Sequence, residues 1–182
     1  MRSALAQHAP SHVFALLGTT QARVKRTRKA GGDAAKETYD AVDIALTEML
    51  IRASAALEPK PRLVYLSSVG AGEGARGSYL LARTHVERTL IASGLPYTIA
   101  RPSFIVGERD EVRTAEKLFA PIADASLSLL GALGGRKTRD RYRSITGEQL
   151  AGALVAIGSD PAWAARIAEA QDLTALVRRG LG

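Results

Sequence analysis

Four residues of this chain have the types and spacing to move a proton: Ser67, Ser68, Tyr79 and Arg83. Tyr79 and Arg83 are four positions apart, so on a helix they share a face. A cation beside a tyrosine favours the phenolate. A phenol so placed can give a proton to a carbonyl oxygen or take one from an alcohol, and a serine hydroxyl can hydrogen-bond that same oxygen. The set fits hydride transfer at the adjoining carbon. Plainer roles compete with this. Tyr79 could pack on the sheet as a helix-start aromatic, and Arg83 has Glu87 one turn on as an ordinary partner. The two serines could simply end a strand.

The elements around these residues decide where they stand. Residues 12–17, "HVFALL", and 62–67, "RLVYLS", read as strands, as does "PYTIA" at 96–100. The first has no polar alternation, so it suits a central strand covered on both faces. At the start of the sheet it would instead be an exposed edge. Between the first two strands lie a polar, basic loop over 21–36 and a helix over 37–57. That helix carries an apolar stripe of Val42, Ala45, Leu46, Met49, Leu50, Ala53 and Leu57, and Pro59 and Pro61 stop it. A helix over 79–93 follows, ended by Gly94. Strands joined by single helices need parallel crossovers, so the expected fold is a doubly wound Rossmann-type α/β sheet. One domain is expected, with its sheet core over residues 12–109 and a mostly helical part over 110–182. In that part 111–119 and 123–133 look helical, Thr146 to Gln149 has capping-box spacing, and Asp160-Pro161 opens a last helix. Trp163 would anchor that helix by packing.

Gly72, Gly74 and Gly77 match the G-x-G-x-x-G phosphate-binding pattern. They lie too far beyond the strand, however, and the following strand ends in Arg101-Pro102 where an acidic ribose ligand is expected. The glycines read instead as a flexible lead between strand and helix, close to the substrate. Ser67 and Ser68 fall at the carboxyl end of their strand, where open α/β sheets bind ligands.

From about residue 12 to 109 the chain resembles an atypical short-chain dehydrogenase/reductase of the NAD(P)H-binding, epimerase-like group. It is most similar to the branch of Tat-interacting oxidoreductase-like proteins. The matching pieces are "FALLGTT", "VYLSS", Tyr79-x-x-x-Arg83 and "VERTLIASGLPYTIARPSFIVGER", in the family's order. The resemblance implies that Gly18, Thr19 and Thr20 line the cofactor and that Arg101, Pro102 and Ser103 flank the nicotinamide. It makes Ser67 or Ser68 the catalytic-type serine and Tyr79 the catalytic-type tyrosine. Arg83 stands where the family has lysine; it can hold a ribose hydroxyl, but its pKa is too high for proton relay. The family's N-terminal phosphate loop has no match here, so the chain is expected to be the second half of the full sheet.

Composition narrows the remaining choices. The 182 residues include no cysteine, which excludes disulfides and thiolate chemistry and fits the cytoplasm. No segment reads as a signal peptide or a membrane span. His8 and His12 flank Pro10 and make no helical metal pair, and His85 reads as a surface helix residue. Metalloprotease, α/β-hydrolase and P-loop motifs are absent. The net charge of +7 favours anionic ligands and, mildly, NADP over NAD. Two basic clusters, at 23–29 and 136–143, lack the aromatic interleaving of a specific nucleic-acid site. The expected partner is a small-molecule substrate. A non-catalytic, partner-binding relative is the alternative, with a homodimer or another strand pairing on the exposed edge.

Overall fold

The structure, a computed structural model, describes residues 1–19, 21–103, 105–106 and 145–180. Four parallel strands form the main sheet: β1 (His12–Ala15), β2 (Arg62–Leu66), β3 (Tyr97–Arg101) and β6 (Arg166–Glu169), in the order β1-β2-β3-β6. Val13 pairs with Leu63, Leu63 with Tyr97, and Ile99 with Ile167. Two short strands, β4 (Ile105–Val106) and β5 (Ile145–Thr146), pair in parallel beside it.

Helices cover both faces, because strand side chains alternate. On one side Val13, Ala15, Leu63, Tyr65 and Ile99 pack against α3 (Thr47–Ala55) and α4 (Ser78–Ala92), with Leu5 of α1 (Arg2–His8) at the margin. On the other side Val64, Ala100 and Ala168 pack against α5 (Gly147–Ser159) and α6 (Ala170–Arg178). The fold is the expected Rossmann-type α/β arrangement. Gly158 lets α5 approach closely, since a Cβ there would lie 3.0 Å from Val64 and 3.2 Å from Phe14. Arg62 satisfies the end of the same helix by donating to the Gly158 and Asp160 carbonyls, each at 2.8 Å. Trp163 packs against this second core.

Several expectations need correction. Residues 21–29 form a helix, α2 (Gln21–Lys29), not a loop. Arginine, lysine and glutamine are good helix formers, and Val24 gives the helix a buried anchor. Residues 37–57 are not one regular helix: a 3-10 turn (Ala34–Glu37) precedes a π-helix (Tyr39–Leu46), which runs into α3. Its buried side overlaps the apolar stripe at Ala53 and, in part, at Leu50. Asp43, Thr47, Ile51, Ala53 and Ser54 point inward, while Leu46 and Met49 are exposed. The wider π winding shifts which residues face the sheet.

The C-terminal region holds a strand that the sequence reading missed. Asp160 caps a 3-10 turn (Pro161–Trp163) rather than a long helix, and β6 then adds a fourth parallel strand before α6. β1 is not central. It is an edge of the described sheet, with Phe14 and Leu16 exposed. The capping box is present as expected, with Thr146 and Gln149 exchanging hydrogen bonds, and Gly94 adopts φ +70°. The helices expected over 111–119 and 123–133 and the basic cluster at 136–143 lie outside the described residues.

Candidate functional site

The carboxyl ends of the four parallel strands face one side of the molecule, and two charged centres form there. One is built around Arg83, the other around Arg101.

Arg83 projects from α4 toward the gap between the ends of β1 and β2, where its side chain is 7% exposed. Nη1 donates to the carbonyls of Leu17 (3.1 Å) and Leu66 (3.0 Å) and lies 3.2 Å from the Tyr65 hydroxyl. Nη2 lies 2.9 Å from Oδ1 of Asp43, which is fully buried on the π-helix. The other carboxylate oxygen, Oδ2, accepts the Thr19 N–H at 3.0 Å. Gly18 leaves room for the guanidinium, since a Cβ there would lie 2.6 Å from Nη2. The Tyr79 ring lies 5.2 Å from the guanidinium carbon, and the Tyr39 ring meets Tyr79 at a tilt, 5.6 Å between centroids.

Electrostatics follow from this burial. Desolvation raises the Asp43 pKa, and the Arg83 cation and the Thr19 N–H offset this only in part. Burial works against the Arg83 cation, but Tyr79, Tyr65 and Asp43 outweigh it and hold its pKa up. The Tyr65 phenol is pushed up to about 12, chiefly by burial. The Asp43–Arg83 contact is an ion pair by distance, yet Oδ1 makes no aligned hydrogen bond. Arg83 Nε and Thr19 Oγ1 are also buried without partners.

The second centre joins β2, β3, β6 and α4. Ser67 donates to Glu87 Oε1 at 2.5 Å. Arg101 donates from Nε and Nη2 to the two oxygens of Glu87 (2.9 and 2.6 Å), and from Nη1 to Glu169 (2.9 Å). Hydrogen bonds to Glu87 are the main reason that the Arg101 pKa is held up. The glycine loop seats on this centre. Gly72 N–H donates to Thr84 Oγ1 at 2.9 Å, and a Cβ on Gly72 would lie 2.9 Å from Arg101 Nη2. Gly72 also has φ +110°, which favours glycine.

The structure thus brings Tyr79 and Arg83 together with Gly18 and Thr19, and it joins Ser67 to Arg101 through Glu87. Neither serine hydroxyl bonds to Tyr79, because Ser67 gives its proton to Glu87 and Ser68 to the Val69 carbonyl at 3.3 Å. Glu87 is not the partner of Arg83, which pairs with Asp43 instead. Pro102 is buried and Ser103 half-buried beyond β3, and Thr20 lies outside the described residues. Sequence reasoning missed Asp43, Glu169 and Tyr65, and it offered Glu87 as a partner of Arg83 where the structure gives it to Arg101. Only the inward series Asp43, Thr47, Ile51 and Ser54, at helical spacing, could have marked the first of these.

No protein-family model matches the sequence, and no curated protein matches it. Solved structures do. UDP-glucose 4-epimerase of Thermotoga maritima, solved with UDP-glucose, is 16% identical with a TM-score of 0.52, over 98% of this chain and 63% of that one. The Bordetella bronchiseptica enzyme WbmF, in complex with NAD+, is 14% identical with a TM-score of 0.53, over 93% and 57%. RMD from Pseudomonas aeruginosa, complexed with NADPH, is 16% identical with a TM-score of 0.55, over 98% and 68%. The chain therefore spans 57–68% of the length of these structures. At such identities the likeness establishes a shared fold.

Proposed function

We propose that the chain is an NAD(P)-binding, oxidoreductase-like protein of the short-chain dehydrogenase/reductase, epimerase-like kind, in the branch of Tat-interacting oxidoreductase-like proteins. Its chemistry is hydride transfer to or from a small carbonyl or alcohol. The observation that carries this reading is Tyr79 stacked over the buried Arg83 cation at the carboxyl ends of a parallel sheet. The NAD+ and NADPH complexes among the fold's neighbours support it.

A nicotinamide dinucleotide fits the residues present on its ribose side. Thr19 Oγ1 and Arg83 Nε are buried polar atoms without partners, next to Gly18, whose missing Cβ makes room for the guanidinium. Gly18, Thr19 and Arg83 would hold the cofactor there, with Arg101, Pro102 and Ser103 at and beyond the end of β3; Thr20, given the same role, lies outside the described residues. When bound, the nicotinamide supplies or accepts the hydride. Tyr79 gives the carbonyl oxygen its proton, or takes it back in the reverse direction. Arg83 is a fixed cation beside that phenol and carries no proton itself. Ser67 gives its proton to Glu87 at 2.5 Å and Ser68 to the Val69 carbonyl at 3.3 Å, so Ser68, with the longer bond, is the serine that would turn to the substrate oxygen. NADP is mildly favoured over NAD, because Arg23, Lys25, Arg26, Arg28 and Lys29 are all exposed on α2, directly after the Gly18 turn. A cytoplasmic location accompanies this reading. Among the described residues no helix is long and apolar enough to cross a membrane.

Titration with NADPH and NADH, followed by nicotinamide fluorescence, tests the proposal. Binding tighter than about 1 mM, with NADPH ahead, is expected. A folded sample that binds neither overturns it.

One observation favours a second reading, a non-catalytic partner-binding domain. Among the described residues β1 is an edge of the sheet, with Phe14 38% exposed on the strand, Leu16 52% exposed just beyond it, and no charge or proline within the strand to discourage pairing. Light scattering is expected to show concentration-dependent association that Phe14→Lys abolishes. A stable monomer at all concentrations removes this reading.

A further inference from the structure

We propose that Asp43 is a positioning residue of this site, holding Arg83 under Tyr79 and tying both to the Gly18–Thr19 turn; this rests on the nicotinamide reading above. Asp43 is the one carboxylate in contact with Arg83 among the described residues. Its two oxygens point to different elements: Oδ1 to Nη2 of Arg83 on α4, and Oδ2 to the Thr19 N–H beyond β1. A single buried side chain thereby fixes the distance between the cation below the phenol and the backbone of the turn.

The local geometry explains why this residue is needed. Arg83 lies one helical turn before Glu87, which would be its default partner. Glu87 is fully engaged by Arg101 and Ser67. The hydrogen bonds of Arg83 all run through Nη1, to two carbonyls and one phenol. Those three acceptors anchor one corner of the guanidinium but leave the opposite edge, Nε and Nη2, unfixed. Asp43 takes Nη2 and leaves Nε open. Without the carboxylate the plane can turn about that corner, and its stacking on Tyr79 and its place beside Gly18 change together. The π-helix serves this arrangement, since its wide turn lies at the segment that delivers Asp43 to the sheet ends.

The test compares wild type, Asp43→Asn, Asp43→Glu, Arg83→Met and the double variant Asp43→Asn/Arg83→Met. NADPH affinity is measured by fluorescence, and folding by urea denaturation with circular dichroism. Asp43→Asn is expected to weaken NADPH binding by about tenfold or more, the loss typical when a charged hydrogen bond goes. Asp43→Glu, which keeps the carboxylate, restores part of it. In the Arg83→Met background Asp43→Asn causes no further loss of affinity, while the uncharged double variant regains stability relative to either single change. Recovery of stability without recovery of binding separates a positioning role from a structural one. Equal NADPH affinity in wild type and folded Asp43→Asn overturns the inference while leaving the nicotinamide reading intact. Absence of NADPH binding by wild type overturns both. Should Asp43→Asn fail to fold, a loss of NADPH affinity on Asp43→Glu that is just as large in the Arg83→Met background refutes the inference.

Discussion

Arg83 and Arg101 end adjacent parts of the same sheet edge, yet their surroundings differ in kind. Arg101 is a closed knot. Every nitrogen of its guanidinium has a carboxylate oxygen within 2.9 Å, and those oxygens come from α4 and from the end of β6. Arg83 is more deeply buried but less completely matched. It has one carboxylate at one nitrogen, neutral acceptors at a second and nothing at the third. Buried polar groups in folded proteins are nearly always satisfied, and the exceptions need a reason. Full satisfaction makes Arg101 a structural tie, whereas Arg83 keeps one buried nitrogen without a partner. That contrast separates the two arginines, which are equally conspicuous in the sequence.

The largest effect expected from this contrast is at the closed knot. Glu87→Ala leaves Arg101 with Glu169 alone and strands the Ser67 hydroxyl, so a loss of about 3–5 kcal/mol is expected in urea unfolding. A loss near zero would show that the knot is not structural and would dissolve the distinction. Next comes Gly72→Ala. The residue has φ +110° and its missing Cβ faces Arg101 Nη2 at 2.9 Å, so the change costs about 1–3 kcal/mol. The cost should shrink when Arg101 is also replaced by alanine, because the clash goes with the side chain.

The smallest effect has a sign rather than a size. Burial raises the folded pKa of Asp43 above 3.8, so its protonated form suits the fold better. The stabilisation from that proton is fully present below the unfolded pKa and is lost as pH rises through the raised folded value. Wild type should therefore lose stability relative to Asp43→Asn as pH climbs upward from about 4. Glu48 provides the opposite case. Its hydrogen bond to His85 is the main cause that lowers its pKa below 4.5, so its contribution is present above 4.5 and fades as pH falls through the lowered value. The difference between wild type and Glu48→Gln should therefore slope the other way. Parallel slopes for the two carboxylates would refute the assignment of burial as the leading influence on Asp43.

The fold was legible where local pattern and final environment agree. β2 and β3 are apolar runs that become central strands, and Thr146 with Gln149 is a purely local cap. The pairing of Tyr79 with Arg83 on one helix face was legible for the same reason. The misses all required distant partners. Arg166–Glu169 has too few apolar residues to announce a strand, and it becomes one because β3 offers an open edge. Glu87 lies at ideal spacing from Arg83, but the tertiary position of Arg101 competes successfully for it. Asp43 sits between two apolar neighbours in a helix, and nothing nearby signals that its charge is answered from α4.

The late position of β6 has a consequence for synthesis. The strand reaches β3 roughly 65 residues after Arg101 has been made. At elongation rates of about 5–20 residues per second, a nascent chain waits about 3–13 seconds with the β3 edge unpaired. Through that interval Glu169 does not yet exist, and Arg101 has Glu87 as its only carboxylate among the described residues. The bidentate pair with Glu87 is thus the part of the Arg101 centre that is complete before β6 is made.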